Sequence, residues 1–126
     1  IYPESYISCG TVLAKQLIIG SIPSKTIYAV KIGRNKEFEG LGFRIHYFGI
    51  KPELLFEITF EDGIRYASAE KAFVDTLYFY QKGEKFSFDP FSDINISLLN
   101  REKIERILDH YSNPRFKSFV KGMIQV

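Results

Sequence analysis

Two histidines, His46 and His110, and one cysteine, Cys9, are the softest candidates for metal or nucleophilic chemistry in this 126-residue chain. A metal site needs three or four converging ligands, and neither histidine stands at ligand spacing from the other or from Cys9. No Ser occupies a G-x-S-x-G elbow, and no spacing offers Cys9 a catalytic partner. Gly40-Leu41-Gly42 is too short for a dinucleotide-binding fingerprint and no helix start follows it, so it reads as a tight turn. A small metal-dependent nuclease wants an acid two places before a lysine on one strand, which brings both side chains to one face. No lysine here has that neighbour. Glu57, Glu61 and Asp62 remain conceivable metal ligands, with exposed hairpin acids as the simpler reading. The expectation is a protein with no catalytic residue, no metal and no cofactor.

Charge is distributed unevenly. The formal net charge is only +2, yet no acid lies between Glu4 and Glu37, a stretch that holds Lys15, Lys25, Lys31, Arg34 and Lys36. Arg115, Lys117 and Lys121 repeat the pattern at the end of the chain. Lys31, Arg34, Lys36 and Arg44 fall on or between neighbouring strand candidates, so they are the residues expected to contact nucleic acid or an acidic partner. A set of solubilising surface lysines is the plainer alternative. No recognition helix or stacking motif is apparent among them, so base-specific reading is not expected.

These residues must be positioned by one continuous domain over 1–126, a common domain size with no linker or repeat in it. No apolar run approaches the ~18 residues that span a bilayer as a helix, so no membrane partner is expected. A lone cysteine permits no intrachain disulfide and fits a reducing, cytoplasmic setting; Cys9 itself reads as a small buried hydrophobe. Twelve Phe and eight Tyr with no Trp must supply much of the core, and some of those rings are candidates for a partner surface.

The pattern predicts an α+β fold, with a small, mostly antiparallel sheet packed against helices. Ser8 to Gln16 reads as a short helix capped by Ser8, with Val12 and Leu13 inward, and residues 18–24 as a Gly- and Pro-containing loop. TIYAVKI, Thr26 to Ile32, is a strand candidate ended by Gly33-Arg34-Asn35. Lys36 to Glu39 is a second. In Phe43 to Phe48, alternation sets Phe43, Ile45 and Tyr47 on one side, and Arg44 and His46 on a polar side with His46 toward solvent. Lys51 to Leu55 starts a helical turn. Phe56 to Phe60 and Ile64 to Ala67 flank Glu61-Asp62-Gly63 as a hairpin.

Ser68 then caps a helix, AEKAFVDTLYFYQK, whose buried stripe is Phe73, Val74, Leu77 and Tyr80 or Gln81, and Gly83 stops it. Phe86 to Ile96 is an irregular surface segment. Asn100 caps a helix with Ile104, Ile107, Leu108 and Tyr111 as its core stripe, and His110 near its end suits the helix dipole. Asn113-Pro114 opens the last helix, striped by Phe116, Phe119, Val120 and Met123. The last two are expected to form an antiparallel pair.

The segment IRYASAEKAFVDTLYFY resembles the pattern of AbiEi-family antitoxins of the type IV toxin–antitoxin class: a strand, a small-residue cap, Glu-Lys-Ala, then an Asp within an apolar helix. Ala67, Ser68, Glu70, Lys71, Ala72 and Asp75 carry it. YISCGTVLAKQLI resembles the family's opening helix, and FRIHYFGIKPELLF its strand and Lys-Pro-Glu-Leu turn, in the right order from about Tyr2 to Tyr80. The chain departs from the pattern at Ala69, where Pro is common, and at Cys9-Gly10-Thr11.

What the resemblance implies is the C-terminal domain of a bacterial phage-defence (abortive infection) antitoxin and transcriptional regulator. A winged helix-turn-helix that binds promoter DNA would precede Ile1. Its functional partner would be a nucleotidyltransferase-like toxin, opposed without a stable complex. Read physically, Ser68 and Glu70 start a helix, and Lys71 to Asp75 is an i,i+4 pair of the kind worth a few tenths of a kcal/mol on a surface. A small nuclease and an interaction module using exposed Phe and Tyr, including those of Phe86 to Phe91, are the alternatives.

Overall fold

The computed structural model describes residues 4–20, 25–40 and 42–124. Six strands form one sheet: β1 (Tyr6–Ile7), β2 (Thr26–Ile32), β3 (Lys36–Gly40), β4 (Phe43–Ile50), β5 (Ile58–Glu61) and β6 (Ile64–Ala67), in the order β3-β4-β2-β1-β6-β5. The helices are α1 (Cys9–Lys15), α2 (Ala69–Gln81), α3 (Arg101–Leu108) and α4 (Pro114–Ile124), with single 3-10 turns at Pro52–Leu54 and Ile96–Leu98. The class is α+β as the pattern predicts, but the sheet is mixed and not mostly antiparallel. The local neighbours β3–β4 and β5–β6 pair antiparallel, as does β1–β2, whereas β2–β4 and β1–β6 are parallel. Parallel pairing needs a crossover, and strand-by-strand periodicity does not say which distant strands meet.

β1 is two residues long, yet it joins the two halves of the sheet. Tyr6 pairs with Val30 and Ile7 with Ala29 on one side, and Ile7 with Tyr66 on the other. Thr11 of α1 extends this seam by accepting from the Tyr28 backbone N–H at 2.8 Å, and the Ser8 N–H donates to Tyr28 O at 3.0 Å. The β5–β6 hairpin turns on two residues, Asp62 (φ 51°) and Gly63 (φ 78°). Positive φ at both central positions gives the turn whose twist suits a hairpin, which is why Asp-Gly stands there.

Alternation along β4 is as expected, but the side expected to be polar is the one that meets the helices, while on the other side Tyr47 is buried and Phe43 exposed. Phe48 and Ile50 are buried and face the helices, with Phe48 stacked on Phe79 of α2 at 4.7 Å between ring centroids. His46, on that same side, is half-buried with its ring 4.5 Å from Phe48 rather than turned to solvent. Only Arg44, at the open end, is polar in environment. The six-residue window expected from sequence stops at Phe48, short of Ile50, so it underweights the buried end of that face.

α2 is the central helix. Lys71, Ala72, Phe73, Val74, Asp75, Thr76, Leu77 and Phe79 are all buried, so it is enclosed on more than the expected stripe, while Tyr80 is exposed. α1 and α3 pack against it and α4 closes over both α2 and α3. The α3 stripe of Ile104, Ile107, Leu108 and Tyr111 is buried as its spacing requires, and Phe116, Val120 and Ile124 seat α4. Residues 84–100 are irregular but do more than cover the surface: Phe88 and Ile94 are buried, and Phe86 packs on Tyr28 and Phe48. The loop expected over 18–24 is described only in part; Ile18 and Ile19 are buried, and residues 21–24 lie outside the described residues.

Candidate functional site

The polar residues of the Ser68 to Asp75 segment converge on one ionic cluster within the core. Ser68 caps α2, its hydroxyl accepting from the Lys71 N–H at 3.1 Å. Glu70 lies in the first turn, where a carboxylate complements the helix dipole. Its reach extends further: Oε2 accepts from the Asn100 N–H at 3.0 Å and Oε1 lies 3.6 Å from Lys103 Nζ. Glu70 therefore ties the start of α2 to the start of α3, where Asn100 in turn caps Lys103.

Lys71 and Asp75 point inward, which their i,i+4 spacing permits equally with an outward pair. Both side chains are 0% exposed, and Lys71 Nζ lies 2.5 Å from Asp75 Oδ1. Two residues of the chain's opening segment complete the cluster. Tyr6 Oη donates to Asp75 Oδ2 at 2.9 Å and Ser8 Oγ to the same oxygen at 2.7 Å. Lys71 Nζ also donates to Tyr6 Oη at 3.1 Å, closing a ring of Lys71, Tyr6 and Asp75. The Phe56 ring sits 4.9 Å from the ammonium, adding cation–π attraction where water is excluded. The surface value expected for this pair does not apply. A desolvated pair is strong as an interaction but costly to bury, and its net worth depends on such additional hydrogen bonds.

Ser8 is the clearest departure from local expectation. It occupies the N-cap of α1 with extended φ and ψ, but its side chain makes no capping bond, because its hydroxyl serves Asp75 on α2. Cys9, next in line, is fully buried with φ 54°; burial, then the Asp75 charge, push its thiol well above the usual range. Tyr6 and Tyr111 are likewise raised, chiefly by burial and then by the Asp75 carboxylate. Tyr111 Oη is buried with no hydrogen-bond partner among the described residues. Tyr6 and Ser8 had no signal as site residues in sequence beyond lying in YIS, since an Asp inside an apolar helix reveals the need for donors but not which distant residues supply them.

The basic residues are distributed over the two sides of the sheet. Arg44 is on the helix side and bonds Glu39, its cross-strand neighbour, at 2.5 Å and Glu37 at 3.0 Å. Lys36 pairs with Tyr47 and so projects from the other side. Lys31 shares that side through alternation on β2, and its ammonium donates to the carbonyls of Ile32 and Arg34 at 3.2 and 2.7 Å. Arg34 is exposed in the β2–β3 turn. Of the acids considered as metal ligands, Glu61 pairs with Lys15 at 2.9 Å and Glu57 with Lys103 at 3.6 Å, while Asp62 is exposed in the β5–β6 turn. Among the described residues no three His, Cys, Asp or Glu side chains converge. His110 is exposed and stacks on Phe56 at 4.0 Å. Among those residues, too, no helix is long and apolar enough to cross a membrane.

No family model, curated protein or solved structure matches the chain.

Proposed function

We propose that this chain is a non-enzymatic antitoxin domain of the AbiEi type. It would act in the cytoplasm, without a cofactor, against a nucleotidyltransferase-like toxin and without a stable complex with it. Promoter DNA would be bound through a winged helix-turn-helix in the full-length protein. One observation carries the reading. Two segments that resemble the family, YISCGTVLAKQLI and IRYASAEKAFVDTLYFY, lie more than 60 residues apart and meet through Tyr6 and Ser8 on Asp75.

The same geometry favours a role that is not catalytic for the motif's ionisable pair. A general acid or base must come within hydrogen-bond reach of a substrate, and Lys71 and Asp75 have no solvent-exposed atom through which to do so. The motif then marks a fold whose surface acts.

Co-expression of the full-length protein with the toxin encoded beside it tests the reading. Restored growth is the expected result. Unrelieved toxicity, with the antitoxin abundant and folded, overturns it.

A further inference from the structure

The sheet face turned away from the helices combines exposed aromatic rings with cations, and β2, β3 and β4 place no carboxylate on it. Cross-strand partners share a face, which fixes the arrangement. Phe38 lies opposite Ile45 and Lys36 opposite Tyr47, while Phe43, Ile45 and Tyr47 alternate onto this side of β4. Glu37 and Glu39, opposite His46 and Arg44, fall on the helix side. At the far end Phe60 pairs with Arg65 across the hairpin, the guanidinium 5.9 Å from the ring centroid. Phe60, Arg65, Ile27, Ala29, Ile45 and Tyr47 line a groove of about 330 Å³ to which no helix residue contributes.

Three features of this face point to one kind of occupant. Phe38, Phe43 and Phe60 are 42%, 49% and 69% exposed, so flat apolar rings are available at both ends of the sheet. Arg65 Nε is removed from solvent and has no hydrogen-bond partner among the described residues, which leaves an orphan donor beside the groove. The charges on β2, β3 and β4 of this face are Lys31 and Lys36, both positive. A second copy of the chain would bring like charges together. A strand of phosphates with unpaired bases satisfies all three at once: bases stack on the rings, and phosphates meet the cations and the unpartnered donor.

We propose that this face binds single-stranded nucleic acid, with bases stacked on Phe38, Phe43 and Phe60 and phosphates held by Lys36 and Arg65. A duplex presents its bases edge-on in grooves that a flat sheet does not enter, so single strands are preferred. From β3 to β5 the platform is about 24 Å wide at ordinary strand spacing, room for several nucleotides. The surface stands apart from the antitoxin reading, because it is measured on this domain alone.

Fluorescence anisotropy of the chain with labelled oligo(U), oligo(dT) and a duplex, each of about twenty nucleotides so as to exceed one domain's footprint, provides the test. Single strands bind more tightly than the duplex; a preference for oligo(U) over oligo(dT) assigns RNA, and equal affinity assigns either strand. Phe43→Ala and Phe60→Ala each weaken binding about tenfold, and Phe60→Tyr, which keeps the ring, does not. Lys36→Gln with Arg65→Gln flattens the salt dependence by about 1.4 in log–log slope. Unchanged melting temperatures establish that the variants are folded; should Arg65→Gln unfold, Lys36→Gln alone gives about half that change. The proposal is overturned if neither single strand binds at low salt, or if the two Phe→Ala variants bind as the parent does. It is equally overturned if the chain forms a dimer that Phe60→Asp disperses, which would make the face a self-interface.

Discussion

Lys71 Nζ lies 2.5 Å from Asp75 Oδ1 and, with Asp75 receiving Tyr6 and Ser8 on its other oxygen, the pair is sealed from solvent between α2 and β1. Removing one member leaves the other buried and unpaired. Lys71→Met and Asp75→Asn should therefore each destabilise the domain by about 3–5 kcal/mol. Replacing the whole cluster with Tyr6→Phe, Ser8→Ala, Lys71→Met and Asp75→Leu should cost less than the sum of the single changes, because no orphan charge remains. Urea denaturation of the parent, of each of these four changes made singly and of the quadruple variant checks this. Additive losses would mean that the residues do not act as one unit.

Two serines at helix N-caps should respond differently to the same substitution. Ser68 accepts from the Lys71 N–H, so Ser68→Ala should lose about 1 kcal/mol, the usual worth of a cap. Ser8 instead donates to a buried carboxylate, and Ser8→Ala should lose about 1.5–3 kcal/mol. The difference in denaturation midpoint, at equal slope, is the measurement.

Alkaline pH should unfold the domain through its buried phenols. Tyr6 is held well above the ordinary 10.0, first by burial and then by the charge and hydrogen bond of Asp75, and Tyr111 is raised as well. The folded state thus binds these protons more tightly than the unfolded state. Their contribution is full below about pH 10 and is lost as pH rises above it. Tyr6→Phe should flatten the fall in stability above that pH, measured by thermal melts across the alkaline range.

Cys9 should be inert in the native state. Its side chain is fully buried and its thiol is held protonated by burial and by the neighbouring Asp75. Labelling with a thiol reagent should proceed at the rate of unfolding and accelerate in parallel with it in urea. Rapid labelling without denaturant would contradict the packing of α1.

Gly49 should accept no side chain. A Cβ there would sit 1.8 Å from the Gly33 carbonyl oxygen, where the β2–β3 turn crosses β4 and Asn35 Oδ1 accepts from the Gly49 N–H at 2.7 Å. Gly49→Ala should destabilise by at least the upper end of the roughly 1–3 kcal/mol typical of overpacking. Gly20→Ala, with open space around it, is the control.

The sequence by itself determined the elements and much of the core. Periodicity placed β2 and β4, the α2 and α3 caps at Ser68 and Asn100, the α3 stripe and the Asn113-Pro114 helix start, because each depends on residues within about one turn of one another. It also isolated Lys71 and Asp75 as a pair. Only the tertiary structure decided that the pair is buried, since i,i+4 spacing is the same for an inward and an outward face. The donors that Asp75 needs lie 67 and 69 residues away. The same holds for the sheet. A period of two divides β4 into two faces but does not say which one meets helices, and here the face carrying His46, Phe48 and Ile50 turned inward. That choice left Phe38 and Phe43 outside, and the β5–β6 hairpin added Phe60 and Arg65 at the far end of the same face. Long-range pairing, set by burial summed over the whole chain rather than by any local propensity, brought these residues to one surface.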